Sequence, residues 1–475
     1  MTATATTLAV MLVYLAMLAG FGIWSRKETH TLSGYFLAGK KLPGWVVAFS
    51  TNATGESGWL LLGLTGMGYA VGMKAYWVVV GEVIGIAASY WLISRRLKRL
   101  SDEHDSITVP DVLASRFEDR WHLIRGIAVA IILVMVTTYV TAQMVASGKA
   151  LSGFIGMEYN TAVIVGAAII IGYTFVGGYK AVSYTDVLQA VLMLGGLIVM
   201  PIAAIQAVGG WGEVISNVGA QDPLLVDMFG FTTEGALGWA AVIGFVGIGL
   251  PLLGVPQLLV RFMSARDDGE LIKARRISVG VLLVFTFGAV TTGIAGRALV
   301  PGLEDPETIF PILSNQLFSP LVAGILLVVV LSAIMSTVDS LLLLASSAVV
   351  RDTVQKIMGS KKTDAQLSNY GKFVTVLIGG IGIVFALIEA PLIFWFVLFS
   401  WSGLGAAFGP VTICLLYDKK TTREGVIAGM LGGFLVSVIW VLFIKEHALG
   451  LYEAIPGFAA GLILTVVVSR MTQRL

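Results

Sequence analysis

Apolar runs of about twenty residues alternate along the chain with short polar connections, and almost every Lys and Arg falls in the connections. A helix needs an apolar run of that length to cross a hydrocarbon core. The pattern predicts thirteen spans, at 6–25, 44–70, 73–94, 126–150, 160–178, 182–208, 236–260, 277–297, 320–349, 371–388, 390–416, 424–444 and 450–469. With the N-terminus outside, the cytoplasmic segments carry 27 of the 31 basic residues, including the groups Arg95 to Arg125, Arg261 to Arg276 and Arg351 to Lys372. The outer side keeps Lys74, Lys149, Arg297 and Lys445. Basic residues collect in cytoplasmic loops, so span count and orientation support each other, and an odd count puts the C-terminus inside. The expectation is an all-α polytopic protein, one transmembrane domain over 1–475, in a bacterial cytoplasmic (inner) membrane.

Two spans are interrupted. Asn52-Ala-Thr-Gly-Glu-Ser-Gly-Trp59 cuts the second near its middle with small and polar residues, and Gly247-Ile-Gly-Leu-Pro-Leu-Leu-Gly-Val-Pro256 does the same to the seventh. Non-helical backbone survives at that depth only where it is buried or lines a cavity, and paired breaks in two halves point to a transporter site. The breaks fall at equivalent places if five helices over 44–208 repeat, inverted, over 236–416. The span at 6–25 is then an extra helix, and those at 424–444 and 450–469 are peripheral.

Composition removes other classes. A net charge of +2 is the positive-inside bias summed, not a nucleic-acid footprint. His30, His104, His122 and His447 all lie in connections and form no metal cluster, and the lone Cys414 allows no internal disulfide. The first span lacks preceding basic residues and a cleavage pattern, so it reads as a retained helix. The chain stops soon after the last span, which leaves no kinase or receiver segment for a sensor. Gly34-Tyr-Phe-Leu-Ala-Gly-Lys-Lys41 has the spacing of a phosphate-binding loop but ends in Lys where a magnesium-binding hydroxyl belongs, and no strand precedes it. Energy for transport must then come from an ion gradient. An enzyme is not expected, because Ser57 and Ser340 have no His in any span to act as a base, and no cofactor is implied.

Four carboxylates fall inside predicted spans: Glu56, Glu82, Asp186 and Asp339. No Lys or Arg is placed deep enough to neutralise them, and a charged carboxylate at a helix centre costs roughly 3 kcal/mol, so each is protonated, wet or bound to a cation. Glu82, in Val-Val-Gly-Glu-Val-Ile-Gly, has no polar neighbours in sequence and reads as a neutral acid bonded to another helix. The others sit among hydroxyls. Positions 333, 336, 337 and 340 share one helical face and line up oxygens, which suit a hard cation such as sodium.

Further stretches carry a resemblance: Ala53 to Trp59 followed by Leu-Leu-Leu-Gly-Leu-Thr-Gly, Thr174-Phe-Val-Gly-Gly-Tyr-Lys-Ala-Val-Ser-Tyr-Thr-Asp186, Pro256-Gln-Leu-Leu-Val-Arg-Phe-Met263, Met335-Ser-Thr337, Gly405-Ala-Ala-Phe-Gly-Pro410 and Gly450-Leu-Tyr-Glu-Ala-Ile-Pro-Gly-Phe458. Together they resemble the solute:sodium symporter family, and within it the bacterial sodium/proline symporters, from the first span to the last. The resemblance implies a sodium site made by the carbonyls of Ala53, Glu56 and Ala333 and the hydroxyls of Ser336 and Thr337. It also implies a possible second cation site at Asp186, Asp339 and Ser340. The substrate positions are Gly55, Glu56, Ser57, Gly58, Trp59, Tyr139, Gln143, Ile248 and Leu252. The match departs here from the proline symporters, which resemble this chain but have an aspartate at the position of Gly55 and an apolar residue at Glu56. Aromatic and glutamine positions of their seventh span are Ile248, Leu252 and Val255.

A substrate carboxylate would be met by helix N–H groups after the breaks and by sodium, and Glu56 would favour an amine. The function expected is sodium-coupled import of a small amino or imino acid, proline or a relative, by alternating access. The alternative is sodium symport of another small solute such as a monocarboxylate, a vitamin-like acid or a sugar. Partners are then the solute, sodium and the bilayer; oligomeric state is left open.

Overall fold

The computed structural model describes residues 3–25, 31–117, 119, 121–174, 178–229, 236–388, 392–445 and 451–473. His30, Phe175, Val176, Gly177, His447 and Gly450, named above, and Arg26, Lys27, Arg120 and Arg474, counted among the 27 cytoplasmic basic residues, lie outside the described residues.

Helices make up the described chain, and the one β-type contact among the described residues is a parallel bridge between Leu42 and Ala265. The first part runs through α1 (Ala3–Ser25), α2 (Leu32–Leu37), α3 (Gly44–Gly55), α4 (Thr65–Val71), α5 (Tyr76–Ala88), α6 (Arg95–Glu103), α7 (Val109–Arg116), α8 (Leu123–Ile155), α9 (Tyr159–Thr174), α10 (Tyr179–Val208) and α11 (Trp211–Gln221). The second comprises α12 (Ala236–Val246), α13 (Pro256–Ser264), α14 (Asp268–Leu299), α15 (Ile309–Leu317), α16 (Pro320–Ser347), α17 (Asp364–Ile388), α18 (Ile393–Tyr417), α19 (Arg423–Ile439) and α20 (Ala454–Thr472). Local chemistry sets the starts. The side chains of Thr108, Asp267 and Thr422 accept the N–H of Asp111, Glu270 and Gly425, and Pro256 and Pro320 open α13 and α16 where no N–H is needed.

Both predicted breaks are present. Glu56 ends α3 with φ −102° and ψ 74°, and the span resumes as a π-helical turn at Trp59–Leu64. The second break follows a 3₁₀ stretch, Gly247–Leu253, and bends the chain by 45° between Trp239–Leu253 and Pro256–Ser264.

Every one of the thirteen predicted segments overlaps a helix, but by length and composition nine described helices can cross a membrane, or ten if the bent pair is one span. The shortfall from thirteen has a cause. The break at Glu56 leaves α3 as a half-length piece, and the next half runs on in one helical stretch, Trp59–Glu103, past a kink at Gly72. Gly72 has φ +66°, and a Cβ there would lie 2.0 Å from the Leu225 carbonyl oxygen, so only glycine fits. Ala5–Phe21 and Tyr159–Gly172 are apolar but shorter than a full crossing.

Helices α16 and α18 are buried along most of their length, whereas α17, α19 and α20 leave much apolar surface outside. Around this centre α3 packs on α10, α14 and α16, and the 3₁₀ stretch before α13 lies between α5 and α18. Its approach to α5 is backbone to backbone: a Cβ on Gly249 would sit 1.9 Å from the Gly81 carbonyl oxygen, and one on Gly81 2.2 Å from that of Val246. The second break is thereby clamped to α5, a helix that follows the first break.

Candidate functional site

The break after α3 faces the hydroxyl stripe of α16. Ser336 Oγ donates to the carbonyls of Ala53 (2.8 Å) and Ala333 (3.0 Å), and Thr337 Oγ1 donates to the carbonyl of Thr54 (3.0 Å). All five residues are fully buried. Four of the expected sodium ligands, Ala53, Ala333, Ser336 and Thr337, thus come together; Thr54 joins them, and the carbonyl of Glu56 makes no hydrogen bond to either hydroxyl. Uncharged carbonyl and hydroxyl oxygens in this number fit a monovalent hard cation, and no cluster of His, Cys, Asp or Glu among the described residues fits a transition metal. An ion entering here takes the lone pairs of hydroxyls that now bond back to the chain.

One turn along α16 lies a group for which the sequence pattern gave no warning. Hydropathy ends the seventh span at 260 and leaves Arg261 to a cytoplasmic connection. The structure corrects this: all nine residues of α13 are buried, and Arg261 is 1% exposed. The bend at the break turns α13 back into the core, so a basic residue does reach the membrane carboxylates. Its Nη2 donates to Asp186 Oδ2 (3.2 Å), Thr54 Oγ1 and Ser340 Oγ, its Nε to Ser50 Oγ (3.0 Å) and its Nη1 to the Gln257 carbonyl (2.7 Å). Asp186 Oδ2 also accepts from Ser50 Oγ at 2.6 Å. Of the second cation site expected at Asp186, Asp339 and Ser340, the structure therefore joins Asp186 to Ser340 through a guanidinium. Asp339 is buried in α16 within electrostatic reach of Tyr14, whose hydroxyl accepts from Gln189 (2.9 Å) and Ser332 (3.0 Å).

On the other side of the break is a small cavity of about 10 Å³, room for one water molecule, lined by Gly55, Glu56, Trp59, Glu82, Tyr139, Val397, Leu398 and Trp401. Gly55 and Glu56 both reach it because the backbone between α3 and the π-helical turn is unwound; a regular helix would swing them about 100° apart. Behind the wall, Ser57 Oγ accepts from Tyr139 Oη (3.3 Å), Gln143 Nε2 (3.2 Å) and the Trp59 N–H (3.1 Å), and Gln143 Oε1 accepts the Gly58 N–H at 3.0 Å. Ser57, Gly58 and Gln143 therefore brace the break.

Three expectations change here. Glu82 is not a helix-bridging acid: it lines the cavity, and its Oε2 has no hydrogen-bond partner among the described residues. The first N–H groups after the break are already taken by Ser57 and Gln143, so they do not await a substrate carboxylate. Ile248 and Leu252 do not line the cavity, since the tight glycine contact lays the 3₁₀ stretch along α5, with Leu252 Cδ1 3.0 Å from where a Gly85 Cβ would stand. The lining residues the sequence missed, Val397, Leu398 and Trp401, come from α18, where nothing marked a site in an apolar run.

A family model described as "SSF: Sodium:solute symporter family" matches residues 35–433. The chain belongs to this family. Among its relatives, a sodium/proline symporter of Staphylococcus aureus is 36% identical over 98% of this chain and 93% of its own. The symporter fold is also that of a Na+-coupled sialic acid symporter solved in a substrate-bound outward-open state, with a TM-score of 0.81, 19% identity and 98% of both chains covered. Mhp1, a nucleobase-cation-symport-1 family transporter, matches with a TM-score of 0.57 and 14% identity over 93% of this chain and 96% of its own. The chain is thus an all-helical, multi-pass membrane protein with the architecture of sodium-coupled symporters.

Proposed function

We propose that this symporter couples sodium entry to import of a small amino or imino acid, proline or a relative, by alternating access. The observation that carries it is the unwound segment at Glu56, which presents carbonyls to the α16 hydroxyls on one side and a carboxylate to a small cavity on the other. Sodium at Ala53, Ala333, Ser336 and Thr337, with Thr54 added, ties α3 to α16 and so organises the broken segment that carries Glu56. Substrate and sodium then raise each other's affinity. A carboxylate in the cavity favours an amine and disfavours a monocarboxylate. The relatives named sodium/proline symporters support proline as the first solute to try.

In this reading the Arg261 guanidinium is a built-in cation at Asp186 and Ser340, and one sodium moves per cycle. The repeats run over 44–208 and 236–416, with the N-terminus outside and the C-terminus in the cytoplasm of a bacterial cell. The work is transport rather than catalysis. The test is thermal unfolding of the detergent-solubilised protein with proline, other amino acids and small organic acids, each with and without sodium. A ligand bound to the folded state raises the midpoint, so an amino or imino acid that stabilises only with sodium present is the expected result. Stabilisation by organic acids alone contradicts it.

A further inference from the structure

The cavity holds two carboxylates where the sequence led us to expect one. Glu56 and Glu82 come from different helices, each is 1% exposed, and each has an Oε2 without a hydrogen-bond partner among the described residues. The indole Nε1 atoms of Trp59 and Trp401, residues of the same wall, are equally without partners. Buried polar groups are almost always paired, so four orphans around one small cavity mark a polar ligand site; its present free space holds one water, and a larger ligand enters as the walls part in the transport cycle. It brings two donors for the carboxylates and two acceptors for the indoles.

We propose that Glu82 is a specificity-determining residue that shares the substrate's ammonium group with Glu56, and that the substrate class is a small zwitterion whose ammonium nitrogen carries at least two N–H bonds. This rests on the amino or imino acid reading above and deepens it. Two carboxylates facing one cavity repel each other unless one is protonated or a cation lies between them, and an ammonium there can donate one charge-assisted hydrogen bond to each. The ammonium and the nearby sodium supply two positive charges against three carboxylates, the substrate's own included. The substrate carboxylate goes to the indole N–H groups, since the N–H groups of Gly58 and Trp59 are engaged within the protein. A primary or secondary amine qualifies; a quaternary betaine does not.

The test uses four ring compounds of similar shape in sodium buffer, with affinity read by thermal shift on the purified full chain: L-proline with two N–H bonds, N-methyl-L-proline with one, N,N-dimethyl-L-proline with none, and cyclopentanecarboxylate with no amine. The wild type should lose roughly tenfold or more in affinity for each N–H removed. In Glu82→Gln proline should weaken by a similar factor, and its advantage over N-methyl-L-proline should shrink, while Glu82→Asp retains part of it. Proline binding with Glu82→Gln unchanged across the series overturns the role of Glu82 and leaves the amino or imino acid reading standing. A wild type that binds N,N-dimethyl-L-proline as tightly as proline overturns the proposal without any variant. Binding of cyclopentanecarboxylate as tight as proline overturns the proposal and the reading beneath it.

Discussion

Arg261 and Asp186 form an ion pair with essentially no exposure, 1% and 0%, so the consequence of breaking it follows from what each charge keeps. In Arg261→Met the Asp186 carboxylate retains the hydroxyls of Ser50 (2.6 Å) and Thr54 (3.4 Å) and loses the one cation within 4 Å of it among the described residues. Leaving one member of a buried pair behind destabilises a protein by roughly 3–5 kcal/mol. Asp186→Asn leaves the guanidinium as the unmatched charge, and a guanidinium does not shed its proton, so the same range applies although Ser50, Thr54, Ser340 and the Gln257 carbonyl still accept from it. Replacing both, Arg261→Met with Asp186→Asn, removes the unmatched charge, so the double variant should be more stable than Arg261→Met alone. Denaturant unfolding in detergent, followed by tryptophan fluorescence, measures all of these. Single variants within about 0.5 kcal/mol of wild type, or a double variant whose loss is the sum of the singles, would refute the reasoning. Sodium activation of uptake in the wild type should be hyperbolic, with a Hill coefficient near one, because a fixed guanidinium stands at the second cation position. A steeper curve argues against that assignment.

Other consequences are as open to measurement. Ser336→Ala and Thr337→Ala each remove an oxygen of the proposed sodium site and should raise the sodium concentration for half-maximal uptake roughly tenfold or more, while unchanged sodium dependence in both removes α16 from the site. Gly249→Ala pushes a methyl into the Gly81 carbonyl and should lower the unfolding midpoint and uptake together, by about 1–3 kcal/mol or more, whereas Gly55→Ala, whose Cβ meets nothing closer than 3.9 Å, should fold normally. Asp111, in α7 outside the spans, is buried, which by itself raises its pKa, yet the Arg351 and Arg125 guanidinia outweigh burial and hold it below the usual aspartate value. A depressed folded-state pKa adds stability above the unfolded value and loses it as pH falls through the folded one. The gap in unfolding midpoint between wild type and Asp111→Asn should therefore be flat from about pH 8 to 5 and close below about pH 4. A gap that widens on acidification would contradict this.

Breaks and hydroxyl stripes were legible because they are local. Small and polar residues in an apolar run announce an unwound helix, and spacings of three and four put Ala333, Ser336, Thr337 and Ser340 on one face. What was lost depended on where the chain goes after a break. Hydropathy treats the residues after Pro256 as the end of a span, but α13 turns inward by 45°, and that angle alone converts Arg261 from a loop charge into the partner of Asp186. Glu82 failed for a similar reason. Its sequence neighbours are apolar because α5 packs in the core, while its polar company, Glu56, Tyr139 and Trp401, arrives from three other helices. The nine or ten described helices that can cross by length and composition are fewer than the thirteen spans read from the sequence partly because helical continuity past Gly72 joins the second and third of those spans, although the apolar pattern does show the turn there.

Uptake into proteoliposomes tests the central claim most directly. Purified protein is reconstituted, an inward sodium gradient is imposed, and accumulation of radiolabelled L-proline is followed against the same vesicles with equal sodium on both sides and with potassium in its place. The account expects accumulation above the external concentration only with the sodium gradient, abolished by a sodium ionophore. If neither proline nor any other amino or imino acid accumulates, or if accumulation is the same with potassium, sodium-coupled amino or imino acid transport by this chain is contradicted.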